Sequence, residues 1–325
     1  MADGTELLLR GAKEMKAGHV KRALKIFDRA IAASPKDYRA HYQRGVCLQH
    51  LAKKVQAADA YRRVLALNPT MAEAHNNLGS LLLDQGQLVA AVKHFEQAVA
   101  SRPRYGEAWF NLGLVHFTGQ RFAKAAKAYR HALRLQPGDV DTHINLAGAL
   151  QRINDSDGAL RHLAKAARLG PKDALAQFSY GAILATRGEY EKSLVQLKLA
   201  VKLAEKYGRA WQKLGKVHGK LGQHAEAVDA LKRALALSPK DKYLRCDYGR
   251  ALARIGRPKE GITQFRYALR LDPGFARPHL LIGATLAAEK KCAKAKSAFD
   301  RYRKLRAGGS SAAADALLKK CLGSK

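Results

Sequence analysis

The sequence predicts an all-α protein built as a stack of helical hairpins, and three observations carry that prediction. Prolines recur every 34 residues, at Pro35, Pro69, Pro103, Pro137 and Pro171 and again at Pro239 and Pro273, with Glu205 in the one open place. Glycines recur at the same interval, at Gly11, Gly45, Gly79, Gly113, Gly181, Gly215, Gly249 and Gly283, with Ala147 filling the gap. Between these markers apolar residues fall at helical spacing in two blocks per unit, the pattern of two amphipathic helices rather than of strands.

Within a unit, the first helix carries the recurring glycine. The second carries a small residue twelve positions later: Ala23, Ala57, Ala91, Ala125, Ala159, Ala227 or Ala295, replaced by Ser193 and Gly261 in two units. Four positions further on stands a large one: Phe27, Tyr61, Phe95, Tyr129, Leu163, Leu197, Leu231, Phe265 or Phe299. Small residues let two helices approach closely, and the ring or leucine fills the space beside them. Proline then stops the second helix, because it has no N–H to continue the ladder. Glu73, Glu107, Asp141 and Asp173 open the next helix, where its positive end favours an acid. Pro258 and Pro278 fall in first turns, where proline is tolerated. No insertion interrupts the count, so residues 1–306 read as nine repeats starting near 4, 38, 72, 106, 140, 174, 208, 242 and 276. Arg10 and Arg44 stand where later units have leucine, which marks the first unit as partly a cap. Residues 307–325 read as a Gly/Ser break and a short closing helix. Ala314, Leu317, Leu318, Cys321 and Leu322 would be its apolar stripe, lying on the last repeat. A closing helix with a polar back is what a stacked array needs for solubility.

This arrangement resembles the tetratricopeptide repeat (TPR) family. The fourth unit matches best, with Trp109, Leu112, Gly113, Ala125, Tyr129, Ala132 and Pro137, and the seventh is close, with Trp211, Leu214, Gly215, Ala227, Ala234 and Pro239. The resemblance implies a right-handed superhelix, an α-solenoid, whose concave groove is lined mainly by the first helix of each unit. It also implies that Asn77, Asn111 and Asn145 face that groove. Stacked units would set them roughly 10 Å apart, a helix-packing distance. An amide both donates and accepts, and the column resembles the asparagine ladder of the O-GlcNAc transferase repeat region, which implies contact with the backbone of an extended peptide. The plainer alternative is that these asparagines pack neighbouring helices. Asn76 is expected on the rim.

The column ends at Ser179, Lys213 and Asp247, and charge takes over. Lys213, Lys216 and Lys220 share one face of a helix, Arg250 and Arg254 stand 34 residues after Lys216 and Lys220, and Arg209 could extend the patch. Crowded like charges in a concave wall point to an acidic ligand, because such a wall focuses their field. The set of lysines, asparagines and arginine by which chaperone-binding members of the family hold carboxylates is not matched in any three successive units.

The formal net charge is +32, and residues 205–325 carry more than half of it. That balance attracts acidic proteins or polyanions and says nothing about fold. Two functions follow from it. The first is a non-catalytic scaffold or adaptor holding an extended, acidic protein segment. The alternative is a nucleic-acid binder using the basic C-terminal third, disfavoured because no exposed aromatics are interleaved with the basic residues. Catalysis has no visible apparatus: there is no HExxH, P-loop or GxSxG, and no cofactor or metal site is expected. His41, His75, His143 and His279 share the repeat position of Trp109 and Trp211 and are expected to pack interfaces, with the tryptophans as core anchors. Cys47, Cys246, Cys292 and Cys321 lack the spacing of a disulfide frame or zinc site. With no secretory leader or membrane-spanning run in the sequence, a cytoplasmic, reduced protein is expected.

Overall fold

The computed structural model of the chain describes residues 4–306 and 312–323, and it contains nineteen α-helices and no strand among them. The chain forms two compact units, Met1–Leu169 and Gly170–Lys325. The first holds five hairpins: α1 Gly4–Lys16 with α2 Val20–Ala33, α3 Tyr38–His50 with α4 Lys54–Leu67, α5 Ala72–Asp84 with α6 Leu88–Ser101, α7 Gly106–Thr118 with α8 Phe122–Leu135, and α9 Val140–Arg152 with α10 Ser156–Leu169. The second holds four: α11 Ala174–Thr186 with α12 Tyr190–Leu203, α13 Gly208–Lys220 with α14 His224–Leu237, α15 Lys242–Arg254 with α16 Pro258–Leu271, and α17 Ala276–Ala288 with α18 Cys292–Leu305. A last helix, α19 Ala312–Leu322, packs on α17 and α18. Within each unit every hairpin packs on the next in chain order, which is the construction of an α-solenoid. No helix among the described residues is long and apolar enough to cross a membrane.

Each hairpin turns on one residue with positive φ, and these residues are themselves 34 apart: Gly18, Ala52, Gly86, Gln120, Asn154, Gly188, Gly222, Gly256 and Lys290. Glycine holds that conformation without a Cβ penalty, which is why five of the nine turns use it. Between hairpins, Asp37, Asp139, Asp173 and Asp241 cap the next first helix by accepting from backbone N–H groups in its opening turn. Pro258 occupies the first turn of α16.

The core of each hairpin is a ring or leucine set against a small residue of the partner helix, glycine in all but the fifth, which has Ala147. Phe27, Tyr61, Phe95, Tyr129, Phe265 and Phe299 are fully buried. Two of them differ in a way that yields a test. Tyr61 Oη donates to Gln49 Oε1 at 3.0 Å and accepts from Asn77 Nδ2 at 3.2 Å. Tyr129 Oη is buried with no hydrogen-bond partner among the described residues. An unsatisfied buried hydroxyl costs about 1–3 kcal/mol, and a made bond contributes about 1 kcal/mol. Tyr129→Phe is therefore expected to raise the unfolding free energy read from urea titration and Tyr61→Phe to lower it, each by about 1 kcal/mol; equal shifts of one sign would refute the assignment.

At the C-terminal end two expectations change. Ala314 and Cys321 are buried against the last hairpin, but Leu317 and Leu322 remain 36% and 55% exposed, so the apolar stripe is narrower than the sequence implied. The expected Gly/Ser break at 307–311 lies outside the described residues. Cys292 and Cys321 form a disulfide, with Cα atoms 5.8 Å apart, and the expectation of four unpaired thiols is overturned. Cys292 opens α18 and Cys321 nearly closes α19, so the pair meets only because α19 folds back over the last hairpin, which spacing alone does not reveal. Cys47 and Cys246 remain free thiols; burial pushes their pKa values up to about 11 and about 12.

Candidate functional site

One repeat position explains most of the conspicuous polar and aromatic residues. Six residues after a carbonyl in the loop between hairpins stands a side chain with an N–H group facing it. His41, His75 and His143 place Nε2 at 2.9, 2.9 and 3.2 Å from the carbonyls of Pro35, Pro69 and Pro137. Trp109 and Trp211 donate Nε1–H to the carbonyls of Pro103 and Glu205 at 2.9 and 2.8 Å. Gln177 and Arg245 serve the same loop in their units. The tryptophans are thus half-buried: each packs against a hydrophobic cluster, as expected, and its indole N–H also pins the loop. In seven successive hairpins, those opened by α3 to α15, the position is filled by a side chain that can donate to the loop carbonyl.

The expected asparagine column is partly consumed by the fold. Asn77 Nδ2 donates to Tyr61 Oη at 3.2 Å and lies 3.4 Å from Tyr42 Oη, one hairpin back. Asn111 Nδ2 donates to Asn76 Oδ1 at 2.9 Å, and Asn145 Nδ2 donates to the Asp141 carbonyl in its own helix at 2.9 Å. Asn76 is not on the rim. It is 1% exposed and donates to Glu107 Oε1 at 3.0 Å. The reason is geometric: the residue one place before the column faces the first helix of the next hairpin. Contacts between positions 35 apart recur there, as Tyr42–Asn77, Asn76–Asn111 and Gln212–Asp247. Asn145 faces no such partner, because the residue 35 before it is Phe110.

The basic residues are brought together selectively. Lys216 and Lys220 from α13 and Arg250 and Arg254 from α15 line one cleft of about 360 Å³, with His224 at the start of α14. Asp247 lies at its base, its side chain 1% exposed. Lys216 Nζ stands 2.8 Å from Oδ2, Arg277 Nη2 is 3.0 Å from Oδ1, and Arg250 Nη2 is 3.8 Å from Oδ1. Gln212 Nε2 donates to Oδ2 at 3.3 Å. Among the described residues lining the cleft it is the one carboxylate, so it offsets one of the four charges and fixes where Lys216 and Arg250 sit. Lys213 and Arg209 do not line the cleft. The Arg209 guanidinium lies 5.7 Å from the Phe178 ring centroid. Lys213 is half-buried, and burial, with Lys216 and Arg209 nearby, holds its ammonium below the usual lysine range. The anchoring role of Asp247 and the whole contribution of Arg277 were not visible in the periodicity, because Arg277 reaches back from the following hairpin. Among the described residues no group of three or more His, Cys, Asp or Glu side chains is placed to hold a metal ion.

Comparisons with known proteins agree on the architecture. The tetratricopeptide repeat family model matches residues 8–72, 56–97, 76–140, 144–207 and 213–276. No curated protein sequence matches the chain. The crystal structure of YrrB, described as a TPR protein with an unusual peptide-binding site, is 27% identical, with a TM-score of 0.52, over 60% of this chain and 99% of its own. The Cut9–Hcn1 hetero-tetramer of the APC/C is 19% identical, with a TM-score of 0.58, over 86% of this chain and 55% of its own. PilF of Pseudomonas aeruginosa is 18% identical, with a TM-score of 0.57, over 67% and 97%. The last two share the fold.

Proposed function

The chain belongs to the tetratricopeptide repeat family, whose members bind peptide or protein partners and are generally non-catalytic scaffolds, and on that premise we propose that it holds an extended, acidic protein segment in the cleft between α13 and α15. The observation that carries this reading is the convergence of Lys216, Lys220, Arg250 and Arg254 on one cleft with a single carboxylate beneath them. A concave wall of like charge focuses its field on an incoming carboxylate, and arginine can hold that carboxylate by two parallel hydrogen bonds. YrrB supports the class of ligand, since its own site is described as peptide-binding. In the first unit, the carbonyl oxygens and second amide hydrogens of Asn77, Asn111 and Asn145 are the groups offered to a peptide backbone.

Lys220→Glu/Arg254→Glu is the informative variant. Lys216 and Arg250 are engaged with Asp247, and reversing either would set a carboxylate against a buried one. Fluorescence anisotropy with a decapeptide rich in Glu and Asp should show at least about tenfold weaker binding by the variant, about 1.4 kcal/mol. Unchanged affinity sinks the reading. The polyanion alternative replaces it if wild type purifies with a nucleic-acid absorbance ratio and short duplex DNA binds with a steep loss on added salt.

A further inference from the structure

A second electropositive cleft lies in the first unit, on a different helical layer. It has a volume of about 530 Å³ and runs between the second helices α8 and α10, with the start of α9 behind it. Lys127, Arg130 and Arg134 line it from one face of α8, at positions i, i+3 and i+7. Lys165 and His162 line it from α10, and His143 from α9. No carboxylate lines it. The local sequence is consistent with that absence: residues 108–138 contain no Asp or Glu, the longest such stretch in the chain, and α8 has basic residues at four positions and no acid. Four cations gathered around one cleft repel one another, and no carboxylate lining it relieves them. Solvated surface charge is normally interspersed with acids, as on α18, where Lys296 and Arg303 flank Asp300.

The floor has its own chemistry. His143 Nε2 faces the Pro137 carbonyl at 3.2 Å, and a carbonyl only accepts, so Nε2 carries the hydrogen when the ring is neutral. His143 Nδ1 must then accept from His162 Nδ1–H, 2.8 Å away, and His162 Nε2 keeps a lone pair. His131, stacked on Trp109 with ring centroids 4.2 Å apart, accepts at Nδ1 from the Arg134 guanidinium. The charged and titratable groups facing these rings are Lys127, Arg130 and Arg134 on α8, Asp139 before α9, and Arg161 and Lys165 on α10.

We propose that this cleft is an anion site for a phosphate ester, carried either on a phosphorylated side chain of a protein partner or on a soluble phosphate compound. Arginine and lysine are the side chains that match phosphate oxygens, and charge-assisted bonds to them are roughly twice as strong as neutral ones. The histidines would report occupancy. Burial chiefly, and then His143, Arg130, Lys165 and Arg161, hold the His162 pKa down to about 4. Burial and neighbouring cations also lower His131, and burial chiefly lowers His143, with the Pro137 carbonyl acting in the opposite sense. A bound dianion offsets the cations, so all three rings should titrate at higher pH when the site is filled.

The test uses the full chain, a neutral decapeptide bearing one phosphoserine, its unphosphorylated twin, and inorganic pyrophosphate. Calorimetry should show the phosphopeptide binding at least about tenfold more tightly than the twin. That preference should vanish in Arg130→Gln/Arg134→Gln, whose altered side chains are exposed, and survive in Lys220→Glu/Arg254→Glu. Imidazole proton resonances followed against pH should move upward on saturation. Binding of pyrophosphate with no preference for the phosphopeptide assigns the site to a soluble phosphate compound. An unchanged preference in Arg130→Gln/Arg134→Gln, histidine titrations unmoved by saturating ligand, or no binding of either phosphate probe overturns the proposal. So does displacement by duplex DNA at equal phosphate concentration, which would make the cleft part of a nucleic-acid surface. Failure of the acidic-peptide reading would show separately, as indifference of the unphosphorylated acidic decapeptide to Lys220→Glu/Arg254→Glu.

Discussion

Asp247→Asn is expected to weaken the second unit and, at the same time, to tighten binding of an acidic peptide. The carboxylate is 1% exposed, while its partners Lys216, Arg250 and Arg277 are 42%, 54% and 38% exposed at the side chain. Removing one member of a fully buried ion pair costs about 3–5 kcal/mol, because the other charge is stranded. Here the stranded charges can turn partly into water, so the loss should be smaller, about 2–3 kcal/mol, and should appear as reduced hydrogen-exchange protection in α13 and α15. The effect on binding has the opposite sign. A negative charge roughly 7 Å from a bound carboxylate opposes it by about 1 kcal/mol at an intermediate effective dielectric, so its removal should strengthen acidic-peptide affinity roughly fivefold at low salt. Anisotropy at two ionic strengths separates the outcomes. If affinity falls together with stability, Asp247 acts by positioning Lys216 and Arg250 rather than by offsetting their charge. If protection is unchanged, the ion network is energetically idle.

That residue also shows where a periodic sequence stops being informative. Every hairpin solves one packing problem, so glycine against ring, proline after the second helix and a donor beneath the loop carbonyl recur at a fixed interval, and the helical architecture could be read from them. Stacking converts that interval into neighbours, which is why Lys216 with Arg250 and Lys220 with Arg254 could be paired in advance. Contacts that are not repeated carry no such signal. Asp247 looked like one more break in the asparagine column, whereas its burial depends on Gln212 one hairpin back and Arg277 one hairpin on. Asn76 was misplaced because its partners stand at offsets of 35 and 31, which differ from the repeat by the reach of a side chain. Cys292 meets Cys321 through a fold-back that occurs once. The cleft between α8 and α10 left a mark in the acid-free stretch 108–138, but charge on second helices is more often solvated surface, and only the meeting of the two helices distinguishes it.

Gly113→Ala should cost about 1–2 kcal/mol net, although alanine is the better helix former. The gain in helix propensity is about 1 kcal/mol. Against it, a Cβ at Gly113 would lie 2.5 Å from Tyr129 Cε1, and Tyr129 is fully buried with no space to withdraw into. Overpacking of that kind typically costs about 1–3 kcal/mol, and a contact this close to a rigid ring belongs in the upper part of that range, so it outweighs the gain. The fifth hairpin shows how the conflict is avoided: it has Ala147 at the glycine position, Leu163 in place of the ring, and both residues are buried. A branched, rotatable side chain can make room for a methyl group where a rigid ring cannot. Tyr129→Leu alone should leave a partial cavity and cost about 1–2 kcal/mol. Gly113→Ala/Tyr129→Leu should then cost less than the two single changes together, by about 1 kcal/mol or more, well outside the few tenths expected of independent sites. Because stability in a stacked array is local, the cycle is best measured by hydrogen exchange in α7 and α8 rather than by a global melt. Strict additivity would mean that the glycine serves the backbone of α7 instead of the ring of α8, and the same explanation would then fail for Gly11, Gly45, Gly79, Gly249 and Gly283, each of which meets an aromatic ring in the same way.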